Sequence, residues 1–86
     1  MAEAQKQADA IRKEAKLAGA STKKDFYKQA DEVERKATKP WEKVAAKASA
    51  KEIRKKGDQA EKKIIDEGNK KADVVIKKAN DKAAKL

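Results

Sequence analysis

An all-α fold is predicted by three features of this sequence. The first is spacing: small or branched apolar residues recur at intervals of three, four and four, as Ala8, Ile11, Ala15, then Gly19, Thr22, Phe26, then Ala30, Val33, Ala37, then Trp41, Val44, Ala48. After one slip the series resumes as Ala50, Ile53, Gly57, then Glu61, Ile64, Gly68, then Ala72, Val75, Ala79 and Ala83, Leu86. Eleven residues over three turns is about 3.67 per turn, close to the α-helical 3.6, so such a stripe stays nearly straight. The second is composition, dominated by the strong helix formers Ala, Lys, Glu, Gln and Arg. The third is charge order: nine of the fifteen acids have a base four residues later, always acid first, the favourable sense along a helix.

The elements follow from the punctuation. Helix one is expected over about 2–18, ended by Gly19 as a C-terminal cap. Helix two is expected over about 22–38, opened by Ser21 or Thr22, with Asp25 completing a near capping box. Pro40 suits the first position of a third helix, expected over 40–85. Gly57-Asp58 with Glu61 allows a break at 57–58. Gly57 and Gly68 also fall where Ala15, Ala37 and Ala79 stand in the other repeats, which favours small residues admitting a close helix approach. The resulting expectation is a single all-helical domain over 1–86: a helical bundle in which a short-loop helical hairpin packs on a longer C-terminal helix. The alternative is an extended hendecad coiled coil without a hairpin. Contact between Phe26 and the Ile53/Gly57 region separates the two. Trp41 is expected to close the turn against Ala37 and Val33.

The slip between Val44 and Ile53 is nine residues, half a turn beyond whole turns. The Trp41/Val44/Ala48 face therefore lies opposite the Ile53/Ile64/Val75 face, and residues 44–50 are expected to be contacted on two sides or to mark a bend. Alanine supplies 18 of the 33 hydrophobic residues, so a lone monomer has little bulky apolar surface to bury. Ile64, Ile65, Val75, Ile76 and Leu86 would extend past two short helices, and an uncovered stripe of that kind predicts self-association or docking of another helical protein.

The chain lacks His and Cys, which removes a disulfide framework and the usual zinc sites. Catalysis would rest on Lys, carboxylates, Ser21, Ser49, Thr22, Thr38 or Tyr27. The acids Asp31, Glu32 and Glu34 superficially suggest a metal cluster, but successive helical positions diverge. No phosphate-cradling glycine loop or calcium-loop spacing is present. The expectation is a protein that is not an enzyme, with no cofactor, no metal and no small-molecule substrate. The longest uncharged run is Leu17 to Thr22, far short of a membrane span. Compartment is open: a cytoplasmic start, or a cell-envelope or periplasmic protein if a targeting segment has been removed.

A net charge of +9 points toward anionic partners. The C-terminal half carries most of it, and its densest stretch, Arg54-Lys55-Lys56, is the candidate anion contact for nucleic acid or an anionic membrane surface. Interleaved acids make a solvated, self-paired surface the plainer explanation. The leading expectation is a structural or protein-interaction helical module, with non-specific anion binding as the alternative.

The unit Ala-Asp-x-(Ile/Val)-x-x-x-Ala, seen at Ala8-Asp9-Ala10-Ile11-Arg12-Lys13-Glu14-Ala15, at Ala30 to Ala37 and at Ala72 to Ala79, resembles the hendecad segments of ATP synthase peripheral-stalk b subunits. It is also similar to the eleven-residue repeats of late-embryogenesis-abundant proteins. The first resemblance implies a long parallel dimer, the second a chain that orders on drying or binding. Pro40 and the slip depart from both, and Phe26, Trp41 and the Ile/Val clusters favour a folded core. Neither family supplies a functional residue at a position of this sequence.

Overall fold

The computed structural model describes residues 2–85 and is an antiparallel hairpin of two long helices, α1 (Ala2–Lys36) and α2 (Pro40–Lys85). Helix accounts for 96% of it, with no strand among the described residues. The rod measures 70 × 14 × 8 Å, and its long dimension is the length of α2 at about 1.5 Å per residue. Phe26 lies against Gly57 within one chain, so the fold is a hairpin and not an extended single coil.

One expected break is absent. Helix α1 runs through Gly19 without interruption, and no glycine adopts a positive φ. The expected helices 2–18 and 22–38 are therefore one. Gly19 serves as space: a Cβ there would sit 3.2 Å from the Glu61 side chain and 3.4 Å from Ile65. Thr22, half-covered, lies in the line of residues facing α2 instead of capping a new helix. The consequence is that α1 spans most of α2. Ile64, Ile65, Val75 and Ile76 are half-covered by their own chain, so the uncovered stripe that argued for self-association is not there. Leu86 lies outside the described residues.

The turn is residues 37–39. The Ala37 amide donates to the Glu34 carbonyl (3.3 Å) and tightens the end of α1, and the Lys43 amide donates to the Lys39 carbonyl (2.9 Å) as the first bond of α2. Pro40 thus occupies the first helical position, where its missing N–H costs nothing. Glu42 reaches back to accept from the Thr38 amide at 3.3 Å. Helix α2 then continues through both Gly57 and Gly68.

Among the described residues the buried hydrophobic ones are alanines, Ala8, Ala15, Ala30, Ala46, Ala50 and Ala72, together with three buried glycines. Larger side chains (Ile11, Phe26, Val33, Ile53, Ile64, Val75) sit at the margins and are half-covered. Small residues let the backbones approach, and the larger ones close over the seam. Adding a Cβ at Gly68 would drive it into the Ala15 methyl, and at Gly57 it would lie 2.7 Å from the Phe26 Cβ. Both glycines are required by the close approach.

The slip resolves differently from expectation. Ala46 and Ala50 carry the α1-facing line through the start of α2, spaced four apart and continuing to Ile53 and Gly57. Trp41 and Val44 face outward, 68% and 72% exposed, and Ala48 is exposed with them. Trp41 does not close the turn on Val33 and Ala37. Residues 44–50 meet α1 on one side only, and α2 does not end or break there.

Candidate functional site

The candidate cations Arg54, Lys55 and Lys56 are separated by the helix they share. Each successive residue turns about 100°, so Arg54 points along the seam while Lys55 and Lys56 are exposed. Arg54 spans to α1, its Nη1 donating to Glu34 Oε1 and its Nη2 to Asp31 Oδ1, both at 2.8 Å. These two bonds raise its pKa further, that to Asp31 contributing most and that to Glu34 next. The guanidinium is engaged on both sides by α1 carboxylates, while Lys55 and Lys56 face solvent. Asp31 and Glu34, two of the acids that suggested a metal cluster, converge on this cation.

The same edge carries a second crossing. The Tyr27 hydroxyl donates to Asp58 Oδ1 at 2.9 Å. Lys23 Nζ lies 3.6 Å from Asp58 and 3.8 Å from Glu61. The Tyr27 ring sits between the two cations, 5.5 Å from Lys23 Nζ and 6.0 Å from Arg54 Cζ. The hydrogen bond to Asp58 is the main cause of a raised Tyr27 pKa, and Glu61 the main cause of a raised Lys23 pKa. Nearer the open end, Arg12 Nη2 meets Asp73 at 3.0 Å and Arg12 Nη1 meets Asp9 at 3.5 Å. Among the described residues, the ion pairs thus run mainly between helices, whereas the acid–base spacing of the sequence pointed along each one.

These crossings have a signal in the sequence that the apolar spacing does not reveal. Displacing residues 4–37 by 42 onto 46–79 matches 12 of 34 positions, among them Ala8/Ala50, Ile11/Ile53, Arg12/Arg54, Lys13/Lys55, Asp31/Asp73 and Val33/Val75. The Arg12–Asp73 and Asp31–Arg54 pairs are images of each other under that displacement. The two helices pack as copies of one pattern related by an approximate twofold axis.

The outer faces differ. Along α1, the exposed residues Lys6, Lys13, Leu17, Lys24, Lys28 and Arg35 form a mainly basic line, with Asp31 and Glu32 beside it between Lys28 and Arg35. The corresponding line of α2 begins with Trp41, Val44 and Ala48 and then mixes Lys55, Asp66, Lys70, Lys77 and Asp81. Lys39 Nζ lies 5.4 Å from the Trp41 ring. The grooves along the seam are open and shallow; one, at the open end, is lined by Ala2, Ala4, Gln5, Ile76, Ala79 and Asn80. No helix among the described residues is long and apolar enough to cross a membrane.

Compared with known protein families, curated proteins and solved structures, the chain matches none.

Proposed function

We propose that this chain is a non-enzymatic structural and interaction module: a stiff two-helix rod of hendecad, coiled-coil character that engages another helical protein or a second copy through its outer surface. The observation that carries the reading is the end-to-end seam of Ala and Gly, flanked by half-covered Ile, Val and Phe and crossed by Arg12, Lys23, Tyr27 and Arg54. Such a seam fixes a long shape and devotes the chain's larger apolar groups to holding it. Among the described residues no large side chain is fully buried, so further coverage by a partner helix would stabilise the rod.

Sedimentation velocity over a wide concentration range tests this reading. The expected result is a markedly elongated particle whose apparent melting temperature rises with its own concentration or with a helical partner. A compact particle, or stability indifferent to any added helical chain, would contradict it.

The second reading, non-specific binding of nucleic acid or an anionic surface through the lysine-rich C-terminal half, is supported by the exposure of Lys55 and Lys56 and weakened by the engagement of Arg54. Binding through Z cations to B-DNA would fall with salt at a log–log slope of about −0.9Z.

A further inference from the structure

We propose that the outer face of α2 at the loop end is a docking face for an anionic lipid bilayer. This specifies the second, anionic-surface reading above, gives it one face of the rod, and rests on that reading. Trp41, Val44, Ala45 and Ala48 stand at i, i+3, i+4 and i+7, a single helical face, and all four are exposed. The face points away from buried Ala46 and Ala50, and none of the described residues covers it. Leu17 and Val74 are also exposed, but each stands alone. Cations bracket the patch: Lys39 beside the Trp41 ring at one end, exposed Lys51, Lys55 and Lys56 at the other. Glu52 is the acid among them, while the carboxylate of Glu42 turns back to Thr38.

Area and charge select the occupant. Two turns of helix offer far less than the roughly 800 Å² per partner of a stable protein interface. A second copy docked face to face would also bring Lys39 of one chain toward Lys51 and Lys55 of the other. Nucleic acid would satisfy the lysines but leaves Val44, Ala45 and Ala48 without use, and one aromatic makes no stacking platform. A bilayer surface uses every part. Trp41 settles at the headgroup level, Val44 and the alanines lie at the acyl boundary, and the lysine stems extend their ammonium groups to anionic headgroups. The patch sits at one tip of the rod, so shallow insertion leaves the seam intact.

Trp41 is the sole tryptophan, so its fluorescence reports the site directly. The full chain is titrated with phosphatidylcholine–phosphatidylserine vesicles and with phosphatidylcholine vesicles. The expected result is a blue shift, with quenching by brominated acyl chains, on the anionic vesicles alone. Val44→Glu should abolish the shift. Combined Lys51→Gln, Lys55→Gln and Lys56→Gln should weaken binding by on the order of a hundredfold. The same charge loss on α1, by Lys6→Gln, Lys13→Gln and Lys24→Gln, should leave most of the affinity; an equal loss there would reduce the effect to net charge and overturn the proposal. Three further outcomes overturn it: no shift on anionic vesicles, a shift produced by raising protein concentration alone (a second copy is the occupant), or a shift with DNA or RNA and none with vesicles. Sedimentation of the same sample separates the failures, because an elongated hairpin that ignores vesicles leaves the module standing.

Discussion

Two contacts in this hairpin occupy the same place in its approximate symmetry and are filled differently. Toward the open end, Ala15 of α1 meets Gly68 of α2; toward the loop, Phe26 of α1 meets Gly57 of α2. The displacement of 42 that relates the helices carries one pair onto the other. At the open end both partners are small and, among the described residues, Arg12–Asp73 is the one ion pair that crosses between the helices nearby. At the loop end a phenyl ring leans on the glycine, and Lys23, Tyr27 and Arg54 cross to four carboxylates. Close approach alone is sufficient to shape the seam, while the polar crossings are concentrated where a larger side chain has to be accommodated.

Substituting the glycines is the strongest way to break the comparison. In isolation Gly→Ala favours a helix by about 1 kcal/mol, so the sign of each effect tests the packing. Gly68→Ala places its methyl onto that of Ala15, and neither group can move without parting the backbones. Overpacking of this kind costs roughly 1–3 kcal/mol, and a net destabilisation of about 2 kcal/mol is expected in urea unfolding. Adding Ala15→Gly should recover most of it. Gly57→Ala should cost less, about 1 kcal/mol net. Phe26→Leu should not rescue it, since the encroached atom is a Cβ that both residues share.

The polar crossings should separate the two ends more gently. Arg54→Gln removes two interhelical contacts of 2.8 Å, whereas Arg12→Gln removes one of 3.0 Å between helices and one of 3.5 Å within α1, so the first should lower the melting temperature more. These groups remain partly open to solvent, and both losses should shrink at molar salt, where the Debye length is about 3 Å.

The smallest expected effect is on titration. Tyr27, the only tyrosine, should ionise above the ordinary 10.0 because the neutral phenol donates to Asp58. Its folded pKa is raised, so its contribution to stability is complete below 10.0 and is lost as pH rises through the folded value. Lys23, raised above 10.5 mainly by Glu61, has the same sign. Phenolate absorbance should therefore develop at lower pH in Asp58→Asn than in the parent chain.

Much of the fold was legible in the three-four spacing and in Pro40. The spacing placed Ala8, Ala15, Gly57, Gly68 and Ala72 on the contact line, and proline placed the turn. Gly19 misled because a buried glycine that makes room and a glycine that ends a helix look identical in sequence; only the partner residues Glu61 and Ile65 distinguish them. Trp41 misled for a related reason: its three-four spacing with Val44 and Ala48 describes a helical face but not which way that face points. The candidate triplet Arg54-Lys55-Lys56 was legible as charge and illegible as geometry, because the partners that take Arg54 lie 20 and 23 residues away.

The hairpin itself is tested most directly by one distance. Gln5 and Asn80 line the same groove at the open end, whereas in a single continuous helix their separation would be about 112 Å. Spin labels introduced as Gln5→Cys and Asn80→Cys, diluted with unlabelled chain so that only intramolecular pairs are read, give that distance by pulsed dipolar spectroscopy. A narrow distribution centred near a helix–helix spacing plus the label arms, below about 25 Å, is the expected result. A separation beyond the range of two adjoining helices, or a short distance that vanishes on dilution with unlabelled chain, would contradict the fold on which every contact above depends.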